Sequence, residues 1–499
     1  MNRTSRFDFR RRDFWIWTSA GSTLLLALCG LLLDAYWLAL GLLPLFGLYV
    51  LGTRPLLYFW ALLALLPLSF EFYLGSIGTD LPTEPIMILL TGYFILHGLY
   101  YWQHYDRNFY RHPITLLVLI HFIWIFIAAI FGQIALVSWK YTLAKFWYIV
   151  PFYFLAGRLL DRPERVRKMV WLIFIPLLFV ALQSMVRHAG YNFSYTDQFR
   201  TLGPFMRNHV NYAGMLVAFA PWLAYLIWRK SGHWLLIVTA VFWVVALYFS
   251  YTRAGYVSLF LAAVAWWVIK RGWLKSLMAA TLAATLIGSI YLIKNNNYLE
   301  YAPNYETTVS YERFDNLISA TYKLKDISTM ERAYRWVAAG HMVPYHPYVG
   351  WGPGNFRFHY KGYTVTSFRT YVSDNPEQSG IHNYFLMTLV EQGYPGLVIL
   401  VGLLLLPLAW GQTAHAKRAY LRKYKKNKGL SEYNIILATA MVSQIVIIAF
   451  LLINDMLEND KMGSLFWLNL AIITNFTSKL GDDTSTQPDG QNTTHQTEQ

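Results

Sequence analysis

One cysteine, Cys29, stands in 499 residues, inside the apolar run 24–33. A single cysteine makes no internal disulfide, so any part outside the cytoplasm folds without that staple. Charge is also scarce, at 14 % of residues, against about 25 % in a soluble domain. The strand alternation of a membrane β-barrel is missing. So are an internal repeat and the half-to-half symmetry common in transporters. The glycine-rich stretch at 350–354 is followed by no Gly-Lys-Ser/Thr, which excludes a P-loop. His341 and His346 are metal ligands by type only, because no His/Cys/carboxylate spacing supports them. No metal and no cofactor are expected. A basic stretch, Arg10-Arg11-Arg12, precedes an apolar run too long for a cleavable signal peptide, so none is expected.

What the chain has is apolar and aromatic bulk. Hydrophobic residues make up 56 %, with 20 Trp, 36 Tyr and 32 Phe. A soluble protein of this length cannot hide that surface, so the chain reads as an all-α polytopic membrane protein. A crossing helix needs about 20 largely apolar residues. Candidate spans lie near 14–33, 35–51, 55–74, 85–101, 113–137, 142–160, 168–186, 209–228, 234–252, 254–270, 274–293, 382–410, 434–453 and 462–476. About 12–14 helices are therefore expected. Residues 1–293 carry about eleven of them, 294–381 form one large outer loop, 382–476 return two or three spans, and 477–499 make a polar tail.

The net charge of +15 raises the question of a nucleic-acid partner. Its distribution answers it. With the N-terminus inside, 26 of the 42 Lys and Arg fall in cytoplasmic connections, as the positive-inside rule requires. Nucleic acid is not needed to explain the charge, and the 294–381 loop falls outside. In that loop Ser328-Thr329-Met330-Glu331 has the form of a capping box ahead of a helix.

Five clusters on the outer side could carry chemistry. Arg253 sits in Thr252-Arg253-Ala254-Gly255 between two apolar runs, and must snorkel outward or meet an anion. Arg200 to Tyr212 contains Gly203-Pro204 and then Asn208, where a helix N-terminus caps itself or favours an anion. Arg332, Arg335 and Trp336 share one helix face, either a phosphate clamp with a sugar platform or a solvated face around a core tryptophan. The stretch Gly350 to Phe356, with Gly352 and Gly354, makes a tight loop that shapes the outer region or touches substrate. His382-Asn383-Tyr384 stands where the chain re-enters the membrane, and a histidine there is structural or a proton acceptor.

In this order, Arg200-x-x-Gly203, Thr252-Arg253-Ala254-Gly255, Arg332-x-x-x-Trp336, Gly350-x-Gly352-Pro353-Gly354-Asn355-Phe356 and His382-Asn383-Tyr384-x-Leu386 resemble the O-antigen ligase/polymerase family of bacterial envelope proteins. The resemblance covers roughly 200–400. It implies about twelve membrane helices in the bacterial inner membrane, with one large periplasmic loop. It also implies metal-independent, inverting glycosyl transfer from an undecaprenyl-pyrophosphate-linked glycan. By that resemblance His382 prepares the acceptor hydroxyl, and Arg253 and Arg332 hold the pyrophosphate. Arg200 and Arg335 are further candidates for it, with Asn383, Asn208, Gly352, Gly354 and Trp336 in support. The partners implied are the lipid-linked donor, a lipid A–core or growing polysaccharide acceptor, and the bilayer. A ligase is expected first, a polymerase next, and a lipid-linked glycan transporter more distantly.

Overall fold

The computed structural model describes residues 53–74, 77–101, 103, 106–301, 327–368, 373, 380–425 and 430–479. The candidate spans at 14–33 and 35–51, Cys29, Arg10–Arg12 and the tail beyond 479 lie outside the described residues.

The chain is an all-α polytopic membrane protein with one small hairpin. Its helices are Pro55–Leu65 (α1), Thr83–Tyr101 (α2), Pro113–Ile130 (α3) and Ala135–Ile149 (α4). After these come Pro163–Gly190 (α5), His209–Arg229 (α6), Trp234–Tyr248 (α7), Arg253–Arg271 (α8) and Leu274–Ile293 (α9). Ile327–Met342 (α10), Tyr384–Lys425 (α11), Leu430–Leu451 (α12) and Asp460–Ser478 (α13) are the remaining long helices among the described residues. Among the described residues seven helices are long and apolar enough to cross a membrane: α3, α5, α6, α8, α9, α11 and α12. Helix α4 continues through the π segment Val150–Leu155 and the turn Ala156–Leu159, so the expected span at 142–160 is one rod with a local change of pitch.

The expectation of a span at 55–74 needs correcting. The helix stops at Leu65, a 3-10 turn takes Leu66–Leu68, and Phe70–Leu74 (β1) pairs antiparallel with Ile77–Leu81 (β2). Pro67 removes a helical donor, and Phe70-Glu71-Phe72-Tyr73 alternates at a period of two, so the chain leaves the helix for a hairpin. Glu71 stands opposite Asp80 in its register. The capping box also differs. Helix α10 begins at Ile327, ahead of Ser328. The Glu331 carboxylate turns inward instead, accepting from Ser373 Oγ at 2.7 Å and pairing with Arg335 at 3.5 Å.

Helix α13 is the hub, with every residue from Asp460 to Phe476 buried. Polar side chains tie it to its neighbours. Asn469 accepts from Trp222 Nε1 at 3.2 Å and donates to Ser443 at 2.8 Å. Asn475 donates to the carbonyls of Gly157 at 2.7 Å and Leu160 at 3.1 Å. Each such bond between helices in a bilayer contributes about 0.6 kcal/mol. Wrapped on all sides by protein, α13 has no need to be strongly apolar.

Helix α11 breaks at Gly393 (φ 69°, ψ −174°), just before Pro395. The break is where the glycine-rich stretch docks. Gly350, Gly352 and Gly354 all have positive φ, and a Cβ on Gly350 would strike the Glu391–Gln392 backbone. Trp351 N–H donates to Val390 O at 2.9 Å, and Tyr394 N–H to Pro347 O at 2.8 Å. Only glycine permits backbone to approach backbone this closely with these dihedrals.

Candidate active site

Several chain segments meet around a cavity of about 1120 Å³. The hairpin, α4, the entry to α6, α10, the glycine stretch, the entry to α11 and the 454–461 segment all contribute to its lining.

His382 lines it, immediately ahead of α11. Its backbone is left-handed (φ 57°), and its N–H donates to Asp455 Oδ2 at 3.1 Å. Gly380, two residues earlier, lies so close to the same carboxylate that a Cβ would collide with it. Asn383 caps α11: its Oδ1 accepts from Leu386 N–H at 3.0 Å, while its amide donates to Leu452 O at 3.0 Å. The histidine is thus fixed by the residues on both sides of it. Burial pushes its imidazole pKa down to about 3, and the Arg332 and Arg335 guanidiniums act in the same direction. Asn454 beside it opposes them. The ring is neutral at physiological pH, so it can accept a proton.

Arg332 and Arg335 face the cavity from α10. Arg335 is 6 % exposed, donates to Gly380 O at 3.2 Å and pairs with Glu331. Its Nε is buried and has no hydrogen-bond partner among the described residues. Trp336 Nε1 donates to Ile381 O at 3.1 Å, so α10 is clamped to the histidine's own strand of chain. Met330, Tyr334 and Ala338, four apart, are buried on the helix's packed face.

The other residues singled out from the sequence fall as follows. Asn208 lines the cavity and caps α6, accepting from Asn211 N–H at 2.8 Å. Gly354 lines it too, its N–H donating to Glu391 at 2.8 Å. Gly352 packs against the Gly132 backbone. Arg253 opens α8 and is not among the lining residues; its neighbour Thr252 donates to His209 O at 3.2 Å, one residue from Asn208. Arg200 lies outside the lining, with a mostly exposed side chain paired to Asp197 at 3.3 Å. Of the two loop histidines, His341 meets the Tyr298 hydroxyl at 3.1 Å and His346 packs on the Trp351 ring.

The cavity also holds groups that motif reading passed over. The 454–461 segment supplies Asn454, Asp455, Glu458, Asp460 and Lys461, and the hairpin supplies Glu71 and Asp80. Glu458 accepts from Tyr141 at 2.8 Å and Tyr384 at 2.9 Å, and pairs with Lys145 at 2.9 Å. Buried Lys461 donates to Ser69 Oγ at 2.8 Å and to Asp460 at 3.1 Å. Burial raises the Asp455 pKa to about 6, against the pull of the His382 N–H. Burial, with the nearby Asp460 carboxylate, lifts Asp80 well above the ordinary aspartate range. The sequence signal was present: four charged residues in seven, 455–461, in a chain where charge is rare.

Compared with known proteins, residues 235–401 match the family model described as O-Antigen ligase. Over that segment the chain is similar to the O-antigen ligase family. No curated protein matches it. The matched segment is about a third of the ligase-like chain and contains Arg253, Arg332, Arg335, Trp336 and His382. It leaves out the hairpin and 454–461, which complete the cavity. The match supports a membrane enzyme of the ligase or polymerase type.

Proposed function

We propose that this ligase-like chain transfers a glycan from undecaprenyl pyrophosphate to a lipid A–core acceptor at the periplasmic face of the bacterial inner membrane, with inversion and without a metal. The observation that carries the reading is a neutral, half-buried histidine sharing one cavity with the two arginines of α10. A lipid pyrophosphate brings a compact anion to the membrane boundary. Guanidiniums match its oxygens bidentately and stay charged. Arg332 and Arg335 hold the pyrophosphate and stabilise the charge that grows on it as it leaves. The acceptor hydroxyl oxygen attacks the anomeric carbon from the opposite face. A C–O bond forms there as the bond to the pyrophosphate oxygen breaks. The electron pair of that bond leaves with the lipid pyrophosphate, and the hydroxyl proton passes to the His382 imidazole. Bound pyrophosphate also offsets the two guanidiniums that hold the imidazole's pKa down, so the base strengthens when the donor is in place. Arg253, at the head of α8, and Arg200 extend the positive field around the donor's route.

The test is a transfer assay with purified protein in detergent, lipid-linked glycan and lipid A–core acceptor, in the presence of EDTA. Product that disappears in His382→Ala supports the reading. Chain extension without the acceptor would assign the polymerase reaction instead. Lipid movement across vesicles with no covalent product would overturn the enzyme reading.

A further inference from the structure

The cavity is larger than one ligand needs: small-molecule sites commonly run to about 300–1,000 Å³, and this one reaches about 1120 Å³. Its charge is also divided. The field at His382 comes from Arg332 and Arg335. The field at Asp80 comes from Asp460, Lys461, Glu71 and Glu84, with neither of those arginines among its main contributors. Asp455 joins the two regions, bonded to His382 and influenced by both Glu458 and Arg335. A pyrophosphate suits the first region; in the second the carboxylates are already paired, Glu71 with Arg207 at 3.5 Å, Glu458 with Lys145 and Asp460 with Lys461, which leaves a polar surface suited to a neutral ligand.

The second region contains groups ready for a neutral ligand. Asn454 is 7 % exposed and lines the cavity next to His382, yet its Nδ2 has no hydrogen-bond partner among the described residues. A buried donor left unmet is destabilising and favours a ligand that meets it. Asp80 also lines the cavity, and its backbone is held by the hairpin: its N–H donates to Glu84 at 3.2 Å and its carbonyl accepts from Thr83 at 3.3 Å. Glu458 and Asp460 are already engaged by Lys145 and Lys461. Carboxyl and amide groups around a sugar take its hydroxyls as donors and acceptors, while Phe70 and Tyr141 of the same lining offer ring faces.

We infer that Asp80 of the hairpin and Asn454 of the 454–461 segment form the acceptor subsite, which takes an uncharged or amino sugar and presents one of its hydroxyls to His382. This rests on the transfer reaction proposed above and adds the acceptor's position and chemical class. Both residues lie outside the segment that matches the ligase family, so acceptor choice is set by parts of the chain distinct from the donor side.

The experiment measures separate KM values for the lipid-linked glycan and for core oligosaccharide, used both phosphorylated and dephosphorylated. Binding of undecaprenyl pyrophosphate to each variant serves as the check on folding. Asp80→Ala and Asn454→Ala should each raise the acceptor KM at least tenfold and leave donor KM and undecaprenyl pyrophosphate binding within twofold. Asp80→Asn, which keeps the shape, should give a smaller rise. Dephosphorylated core should be the better acceptor. Unchanged acceptor KM in both alanine variants, an equal rise in donor KM, or a preference for phosphorylated core would overturn the subsite while leaving the transfer reaction standing. Absence of any glycosidic product with wild-type protein would overturn the reaction and the subsite together.

Discussion

The two sides of the cavity hold their charge differently. On one side Arg332 and Arg335 project from a helix that Trp336 and Arg335 fasten to the backbone of Gly380 and Ile381. On the other, the carboxylates sit on a hairpin and a short connection, and their cations come from distant elements, as Lys145 on α4 does for Glu458, or from next door, as Lys461 does for Asp460. In the proposed reaction the helix serves as a fixed anion clamp. The hairpin and connection present a polar surface whose charges are largely engaged or shifted toward neutrality. His382 stands at the seam, bonded to Asp455 through its backbone and placed under the arginines' field through its ring. The proposed transfer needs that asymmetry, because it must grip a charged leaving group and receive an uncharged nucleophile.

Removing the seam has the largest expected effect. His382→Ala should cut turnover about 10²–10⁴-fold, with undecaprenyl pyrophosphate still bound; a variant that turns over at the wild-type rate would separate His382 from the chemistry. The clamp comes next. Arg332→Lys keeps the charge but loses the bidentate fork, and should lower kcat/KM for the donor about tenfold or more. Arg253→Lys, outside the cavity lining, should lose less. Equal losses in the two variants would extend the pyrophosphate site as far as α8.

The arginine side was legible in the sequence; of the carboxylate side only the charge run at 455–461 was. Arginines three apart beside a tryptophan, or a histidine next to an asparagine at a helix entry, are local patterns. Asp80 and Asn454 are separated by most of the chain, and no local spacing can bring them together. The same physics governs the fold. Helices facing lipid, such as α3 and α5, announce themselves by hydropathy. The central helix α13 is buried in protein, so it tolerates Asp460, Lys461, Asn469 and Asn475 and has a weaker apolar signature. The hairpin was hidden because its first strand continues an apolar run that a helix could also use.

Acidity should sharpen the contrast between the two sides. Asp455 has a folded pKa of about 6, above an ordinary aspartate, so the folded state holds an extra proton between roughly pH 4 and 6. Its contribution therefore rises as pH falls through 6. His382 is lowered to about 3, so the unfolded state takes up the proton first, and its contribution is lost as pH falls below about 6.5. Melting curves at pH 7.5 and 4.5 read the two apart. Asp455→Asn should raise the melting temperature at pH 7.5 by a few degrees and do little at pH 4.5. In kcat/KM for the free enzyme, an acid limb near pH 6 belongs to Asp455, since the imidazole is already deprotonated there. A limb unchanged in Asp455→Asn would place it on another group.

The smallest expected effect tests whether the seam is rigid. Asn383 does two jobs, capping α11 through Leu386 N–H and reaching Leu452 O on the approach to Asp455. An N-cap asparagine replaced by alanine costs about 1 kcal/mol. Asn383→Ala should therefore lower the melting temperature by only a few degrees. Its effect on transfer should be larger than that loss of stability implies, because His382 keeps a left-handed backbone next to the cap and a small rotation there moves the ring relative to both sides of the cavity. Asn383→Asp, which retains the acceptor for the Leu386 N–H but loses the donor to Leu452, should restore stability without restoring transfer fully. If both variants lose stability and activity in proportion, Asn383 acts only as a cap, and the position of His382 is set by Asp455 and Gly380 alone.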